Sequence, residues 1–369
     1  MKSRAILISF ILAILLIPTI DAKPVIIGFN EKIDQNIIKE HGIINNTQYT
    51  IINAIYTDIP DSVSKQLKKN HKIKYIEEDA LVQIAGKPVQ PLQPLQQIDW
   101  GIYRINAPAT WTTTTGNGVK IAIIDTGISK THPDLIVSGG INLVGTLSSR
   151  KWDDDNGHGT HVAGIIAARN NIIGVVGVAP DAELYAVKVL DSYGGGSISD
   201  VIEGIDWAVQ NNMDIISMSL GTDTYSQAFA DASANAYNSS ILLVAAAGNS
   251  GDGNISTDDV QYPAKFDSVI AVSAIDSNNI APAWSTDGSE VELAAPGAGI
   301  YSTWLGGGYT TSSGTSMAAP FVSGAAALIM QNNAGISPDE VRAVLANNAM
   351  DLGAQGKDNV YGFGLVQAD

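Results

Sequence analysis

The sequence predicts an α/β fold, in which a parallel β-sheet is flanked by helices on both faces and preceded by a small α+β unit. Three observations predict it. Continuous apolar runs alternate with helical segments in residues 98–369, a shorter βαββαβ pattern occupies residues 23–85, and a stretch rich in Pro and Gln, 86–97, separates them. Continuous apolar runs are typical of parallel strands covered on both faces. With 369 residues and 45% apolar content, the chain can bury one large and one smaller core.

The N-terminus is typical of a secretory signal peptide. Lys2 and Arg4 precede an apolar run over residues 5–17, and a small residue follows at Ala22. The run is short for a membrane span. We therefore expect residues 1–22 to be removed and the chain to be secreted, whereas an uncleaved segment would tether the chain to a membrane.

Residues 23–85 predict a small α+β sandwich of the ferredoxin-like type. Strand-like and helical segments follow one another in the order βαββαβ, at residues 25–29, 31–41, 47–59, 61–70 and 72–85, where 47–59 stands for both central strands. The next stretch, GKPVQPLQPLQQ over 86–97, has neither helical nor strand periodicity. It is typical of an extended linker that a protease would cut easily.

The remaining residues predict the parallel sheet. Apolar runs lie at residues 119–125, 182–190, 214–220, 241–247 and 268–274, and helical segments lie at 165–170, 197–212 and 226–238. In open sheets of this kind, ligands bind beyond the carboxyl ends of the strands. Functional side chains are therefore expected directly after these runs.

Charge and cysteine content exclude several classes of function. The net charge is −16, and residues 96–369 hold 28 Asp and Glu against ten Lys and Arg, so a nucleic-acid partner is not expected. The acidic balance favours cations as ligands. The chain has no cysteine, which excludes disulfides, thiolate metal sites and a cysteine nucleophile.

Ser316 is the candidate nucleophile. It lies in TTSSGTSMAAPFVSGAAAL, residues 310–328, where a turn of small residues leads into a strongly helix-forming run. Backbone N–H groups at a helix start stabilise developing negative charge. A serine hydroxyl is a weak nucleophile alone, so this interpretation requires a histidine base and a carboxylate that orients the base.

Asp125 and His158 are the candidate partners. Asp125 closes the first apolar run, and His158 begins a helical segment between two glycines. Taken singly, Asp125 fits a turn residue and His158 fits a helix-capping residue. His161, three residues after His158, raises the alternative of a metal pair, but the chain lacks the HExxH arrangement of zinc proteases.

Four separated motifs, DTGISKTHPD, NGHGTHVAG, AAAGNSG and GTSMAAP, closely resemble those of the subtilisin-like serine proteases. The resemblance spans about residues 96–368. It implies that Ser316 attacks the substrate, that His158 is its base and that Asp125 orients the imidazole. It also implies that the amide of Asn249 contributes to the oxyanion hole.

The resemblance further implies a substrate cleft. One edge that pairs with the substrate backbone would be formed by Gly194, Gly195 and Gly196, and the opposite edge by Ser219, Leu220 and Gly221. Backbone pairing tolerates many sequences, so we expect broad endopeptidase activity on proteins and peptides. Small residues at Ala246 and Gly248 favour a pocket that accepts apolar P1 side chains. The glycines alone would also fit a flexible loop.

Calcium is the cofactor that the resemblance implies. Its ligands would be the side chains of Gln96, Asp134 and Asn171 and the carbonyls of Arg169, Ile173 and Val175. A weaker site would use Glu292 with carbonyls at Ala264, Phe266 and Val269. The neighbouring Asp153, Asp154 and Asp155 fit a solvated loop, a further cation site or a substrate contact, because adjacent carboxylates repel unless they are neutralised.

In the family that the chain resembles, a unit such as residues 23–85 is a propeptide that acts as intramolecular chaperone and inhibitor. Cleavage is expected between Ala85 and Gly86, with the bond between Leu95 and Gln96, preceded by Leu92, as the rival. The enzyme is expected to be a monomer made as a self-processing zymogen. The alternative function is a catalytically silent relative that binds peptides in the same cleft.

Overall fold

The computed structural model describes residues 22–84, 87–89, 95–145, 151–254, 257 and 259–369. Of residues 83, 84 and 87–89 it describes the backbone. The predicted signal segment up to residue 21 and the bond between residues 85 and 86 lie outside this part. Within it, every helix is too short or too polar to cross a membrane.

The N-terminal unit (residues 22–84) begins with a four-stranded antiparallel sheet and two helices. Its elements are β1 (Ala22–Phe29), α1 (Gln35–Glu40), β2 (Asn46–Gln48), β3 (Ala54–Pro60), α2 (Asp61–Leu67), β4 (Ile73–Glu78) and, separated from the sheet, β5 (Leu81–Ile84). The strand order is β2-β3-β1-β4, which is the order of a ferredoxin-like sandwich. The predicted α+β architecture is therefore present.

The rest of the chain comprises the predicted linker (residues 86–97) and the large domain (residues 98–369). Its elements are β6 (Lys87–Val89), α3 (Trp100–Arg104), α4 (Ala107–Thr110), β7 (Lys120–Asp125), β8 (Val137–Asn142), α5 (His158–Ala167), β9 (Glu183–Lys188), β10 (Gly195–Ser197), α6 (Ile198–Gln210), β11 (Ile215–Met218), β12 (Leu220–Gly221), α7 (Gln227–Asn238), β13 (Leu242–Ala246), β14 (Val269–Ile275), β15 (Val291–Pro296), β16 (Ile300–Trp304), β17 (Gly308–Ser313), α8 (Thr315–Asn332) and α9 (Pro338–Asn348).

A seven-stranded sheet forms the centre of the described large domain. Its order is β15-β14-β13-β11-β7-β9-β8, and all neighbouring pairs are parallel. In β7, Ile121 and Ile123 pack on the face covered by α5 and α8, whereas Ala122 and Ile124 pack on the face covered by α6 and α7. The predicted parallel sheet with helices on both faces is confirmed.

Several elements of the large domain were not predicted. The sequence of β8, VSGGIN, is rich in glycine, and β8 lies at the edge of the sheet, so it lacks the apolar run of a central strand. The others are α3, α4, β15, β16, β17 and α9. The strand β6 was also missed, because it forms inside the predicted linker by backbone pairing with β17.

The sheet of the N-terminal unit is covered differently on its two faces. Val25, Ile27 and Ile55 belong to a small core with the unit's own helices. Ile26 and Ala54 point the other way and share a core with α6 and α7 of the large domain. The unit is therefore completed by the domain that follows it.

Candidate active site

Asp125 and His158 form a buried pair. Asp125 ends β7 and is fully buried, and the imidazole Nδ1 of His158 lies 2.8 Å from its Oδ1 and 2.9 Å from its Oδ2. A ring nitrogen this close to a carboxylate carries the proton and donates it, which leaves Nε2 as the acceptor in the neutral ring. The buried Nε2 has no hydrogen-bond partner in the described part of the chain. It is therefore free to take a proton.

Two glycines allow α5, which carries His158, to lie close to its neighbours. Gly157 caps α5 with φ +108°, and a Cβ there would lie 2.5 Å from the Trp304 ring. A Cβ on Gly159 would lie 2.1 Å from the carbonyl oxygen of Gly127. A larger residue at Gly159 would push α5 away from the Asp125 turn, and one at Gly157 would clash with Trp304.

Ser316 is the second residue of α8, which packs against α5. The side chain is fully buried, and its hydroxyl donates to the Ser219 carbonyl at 3.1 Å. In return, the Ser219 hydroxyl donates to the Ser316 carbonyl at 2.8 Å. The Ser316 hydroxyl must therefore turn away from Ser219 before His158 can accept its proton.

Asn249 is held in a defined orientation beside Thr315, which precedes Ser316. Its Oδ1 accepts from the Thr315 N–H at 2.8 Å and from the Thr315 hydroxyl at 3.1 Å. The buried Nδ2 consequently points elsewhere, and it has no partner among the described residues. An amide whose oxygen is occupied and whose buried nitrogen is unpaired can donate to a developing oxyanion.

The two predicted edges of the cleft enclose a strand of the protein itself. In an antiparallel three-stranded sheet of order β10-β5-β12, Gly195 pairs with Gln83, Gly196 with Val82, and Leu220 with Ile84. Gly194 precedes the first edge in a turn and has φ +79°. Gly221 pairs with Gln83, whereas Ser219 contacts the nucleophile rather than the strand.

Small residues line the end of β13 near Asn249. Ala246 and Gly248 are buried, and the Gly248 N–H donates to the Thr315 hydroxyl at 3.1 Å. The Gly248 carbonyl accepts from the Thr286 N–H at 3.2 Å. These bonds fix the backbone beside the nucleophile.

The predicted calcium ligands converge on one loop. Asp134 is fully buried, and it accepts from the Asn171 amide at 2.7 Å, the Val175 N–H at 2.9 Å and the Tyr309 hydroxyl at 3.2 Å. All three donors are neutral, and burial raises the pKa of Asp134. The backbone of Gln96 joins the same loop by donating to Ile172 at 3.4 Å.

This donor set fits calcium in type, because it combines one carboxylate with amide and carbonyl oxygens. It contains a single acid, and no group of three His, Cys, Asp or Glu side chains suited to a metal occurs in the described ranges. The Asn171 oxygen is engaged by the Ile173 N–H at 2.7 Å, and Arg169 is exposed, with its N–H bonded to the Asp134 carbonyl at 3.0 Å.

The weaker calcium site is not favoured by the geometry. Both oxygens of Glu292 are bound by the guanidinium of Arg342, with Nε at 3.0 Å from Oε1. The Phe266 carbonyl accepts from the Val269 N–H at 2.9 Å, and Ala264 lies in the core. The carboxylate of Glu292, the expected ligand, is therefore already paired with Arg342.

The three adjacent aspartates have different environments. Asp153 is exposed and accepts from the Lys130 N–H at 3.0 Å, and Asp155 pairs with Lys188 at 2.7 Å. Asp154 is buried, and burial raises its pKa. The prediction of a solvated loop holds for Asp153 and Asp155, which are exposed, but not for Asp154.

Buried His161 has no place in a metal pair. Its Nε2 lies 3.2 Å from the Ile300 carbonyl and 3.1 Å from the Thr310 carbonyl, and burial lowers its pKa to about 3. Such a ring stays neutral and donates to the two carbonyls. The zinc alternative is not supported.

Comparison with known proteins agrees with these motifs. Residues 116–364 match the model of the subtilase family. Subtilisin E of Bacillus subtilis is 41% identical over 99% of this chain and 98% of its own length. An alkaline protease of Alkalihalobacillus alcalophilus is 46% identical over 82% of this chain and 75% of its own length. The minor extracellular protease Epr of Bacillus subtilis is 39% identical over 94% of this chain and 54% of its own length.

The family match covers more than half of the chain, and subtilisin E aligns with nearly all of it. The Asp125–His158 pair, the buried Ser316 and the oriented Asn249 lie inside the matched region. The chain therefore belongs to the subtilase family, and it is a subtilisin-like serine endopeptidase.

Proposed function

We propose that the chain is the zymogen of a secreted endopeptidase that cleaves its own N-terminal unit. The observation that carries this proposal is β5, which lies between both edges of the cleft and is paired with each. The chain then continues as β6, whose Lys87 pairs with Ser313, three residues before Ser316. β5 ends at Ile84 and β6 begins at Lys87, so in sequence the two strands lie on either side of the proposed cleavage bond.

In the proposed reaction, the Ser316 Oγ attacks the substrate carbonyl while its proton passes to Nε2 of His158. Asp125 keeps the ring in the tautomer with the proton on Nδ1 and stabilises the imidazolium. Asn249 Nδ2 and the Ser316 N–H donate to the oxyanion. The imidazolium then gives its proton to the leaving amine, and water hydrolyses the acyl-enzyme by the same steps.

Buried packing of β5 supports cleavage after Ala85. Val82 is fully buried and shares a core with Ile198, Val201 and Leu220 of the large domain. An apolar side chain three residues before Ala85 would thus be held while the bond is positioned. In contrast, Leu95 in the rival site is 83% exposed.

The polar contacts of the N-terminal unit support its role as an inhibitor. Glu77 accepts from the N–H groups of Gln227 and Ala228, both at 2.8 Å, at the start of α7. Asp79 accepts from the Ser199 N–H at 2.7 Å at the start of α6. Carboxylates stabilise helix N-termini, so these contacts would hold the unit in the cleft after cleavage.

Specificity should be broad, since β5 is held largely through its backbone. We assign an apolar P1 preference to the small residues Ala246 and Gly248, which are buried beside Thr315. Secretion is supported by the N-terminal sequence pattern. A silent peptide-binding relative is disfavoured by the intact Asp125–His158 pair.

We assign calcium to the Asp134 loop. Gln96, Asp134 and Asn171 would supply side-chain oxygens, and Arg169, Ile173 and Val175 would supply carbonyls. Bound calcium would neutralise the buried carboxylate and fasten the segment that begins at Gln96 to this loop.

The decisive experiment is Ser316→Ala in the full chain. We expect the variant to accumulate uncut and to hydrolyse no casein, whereas wild type should yield a mature chain whose N-terminal sequence begins at Gly86. Ser323→Ala is the matched control, because Ser323 is a buried serine of the same helix that contacts Ser217. It should process normally.

Normal processing of purified Ser316→Ala, without added protease, would contradict the proposal. Adding a trace of wild-type enzyme should cut the variant at the same bond, which shows that its junction remains accessible. A mature N-terminus at Gln96 would instead support the rival site.

A further inference from the structure

Asp154 has an unusual number of hydrogen bonds for one side chain. It is 9% exposed. Its Oδ1 accepts from the Thr126 hydroxyl at 2.9 Å, the Asn156 N–H at 3.0 Å and the Gly157 N–H at 2.9 Å. Its Oδ2 accepts from the Thr160 N–H at 3.0 Å and the Thr160 hydroxyl at 2.6 Å. Only an ionised carboxylate can accept at both oxygens in this way.

These donors come from the two segments that carry the Asp125–His158 pair. Thr126 directly follows Asp125, and Gly157 directly precedes His158. Thr126 also accepts from the Gly159 N–H at 2.9 Å through the same hydroxyl that donates to Asp154. One carboxylate and one hydroxyl therefore tie the end of β7 to the first turn of α5.

We propose that Asp154 is a positioning residue of the active site, whose carboxylate fixes the distance and orientation between Asp125 and His158. This inference rests on the proposed catalytic roles of that pair. Asp154 reaches the pair through Thr126 and through the backbone before His158, and it contacts no substrate. Its burial also excludes two sequence-based alternatives, a solvated loop and a substrate contact.

The test is Asp154→Asn. An amide has one acceptor oxygen and an NH₂ group, so it cannot satisfy donors on both sides. We expect kcat to fall by about 10- to 100-fold, because small misplacements of reacting groups have effects of this size. KM should stay within about twofold, because the cleft edges are untouched. The NMR resonance of the His158 Nδ1 proton should shift or broaden.

Asp99→Asn is the matched control. Asp99 is a half-buried carboxylate that also accepts backbone N–H groups, from Gly101 at 2.8 Å and Tyr301 at 3.0 Å, and its hydrogen bonds among the described residues go to neither Asp125 nor His158. Asp99→Asn should lower stability while leaving kcat within about twofold of wild type and the His158 resonance in place.

Each full-length variant is processed by immobilised wild-type enzyme, and turnover is expressed per active site, which is titrated with a fluorophosphonate.

A second pair of variants carries the test if Asp154→Asn does not fold. Thr126→Val removes the bridging hydroxyl at nearly constant volume, and it should lower kcat and disturb the His158 resonance. Thr126→Ser keeps the hydroxyl and should recover most of the lost turnover.

Wild-type turnover of Asp154→Asn, or equal kcat for Thr126→Val and Thr126→Ser, would overturn the positioning role. If Ser316→Ala is inactive, either of these results would leave the proposed function intact. Hydrolysis by Ser316→Ala would instead defeat the proposed function itself.

Discussion

The interface of the N-terminal unit and the loop around Asp134 both hold carboxylates away from free solvent, but different groups stabilise them. At the interface, half-buried Glu77 and Asp79 accept backbone N–H groups from the starts of α7 and α6. In the loop, fully buried Asp134 accepts from donors within one domain, Tyr309 among them. The interface carboxylates are therefore stabilised by helix N-termini, through a contact that would end if the unit were released as proposed.

This difference separates a temporary stabilisation from a permanent one. A helix N-terminus can exchange a protein carboxylate for water, because the released surface is solvated. The fully buried Asp134 has no such exchange, so a bound cation is the natural source of compensating charge. The contrast predicts that calcium governs the stability of the large domain, whereas the capping acids govern how tightly the unit binds.

The largest expected effect is the stabilisation of the large domain by calcium bound at Asp134. Calcium at a free concentration of about 100 times its Kd adds about 2.7 kcal/mol to the free energy of unfolding, which raises the Tm by about 5–10 °C for a domain of this size. The comparison is made by calorimetry on Ser316→Ala, with excess calcium or with chelator. Asp134→Asn should abolish the difference, whereas Asp153→Asn, an exposed neighbour of the active-site loop, should retain it. Equal Tm values of Ser316→Ala with excess calcium and with chelator would contradict the proposed calcium site.

The next effect is the loss of a helix cap at the interface. Glu77→Ala should weaken binding of the separate unit, residues 23–85, to the Ser316→Ala large domain by about 2 kcal/mol, or roughly 30-fold in Kd. Glu78→Ala is the matched control, because the adjacent Glu78 side chain is 80% exposed. Equal affinities of the two variants in a fluorescence titration would show that capping by Glu77 contributes nothing.

The smallest effect is a pH dependence of the same binding. Burial, Asp79 and Glu203 raise the pKa of Asp200 to about 7, and burial raises that of Asp79. Tyr49 and Tyr56 face Asp200 from the unit, and the field of Asp200 contributes to raising the pKa of each.

Asp200 holds a proton in the complex that the separated surface releases. The contribution of Asp200 to binding should therefore be greatest below about pH 4 and weaken as the pH rises towards 7, by about tenfold in Kd. Asp200→Asn should flatten this dependence, and Asp181→Asn, an exposed acid outside the interface, should leave it unchanged. Tighter binding at pH 8 than at pH 5 would contradict the prediction.

Several parts of the fold could be predicted because their signal is local. The apolar runs that became β7, β9, β11, β13 and β14 are continuous, and a buried parallel strand needs no other pattern. The edge strand β8 could not be predicted, because its glycines do not require burial on both faces. Ferredoxin-like order was readable in the N-terminal unit for the same local reason.

Asp154 shows why single residues can be misjudged. In the sequence it is the middle of three aspartates, and nothing in the residue types distinguishes it from Asp153 or Asp155. Its environment depends on Thr126, which is distant in sequence. Likewise Glu292 matched a calcium ligand by position, but Arg342 from α9 occupies it.

By itself, the sequence determined the residues of the proposed catalytic site, namely Asp125, His158, Asn249 and Ser316 in their motifs, together with the parallel sheet that carries them. Motifs and apolar periodicity are local properties, so they can be recognised in the sequence alone. Only the tertiary structure decided that β5 lies between the cleft edges and that Asp154 joins two segments. Strand addition uses backbone groups that every sequence possesses, and burial depends on which distant elements meet.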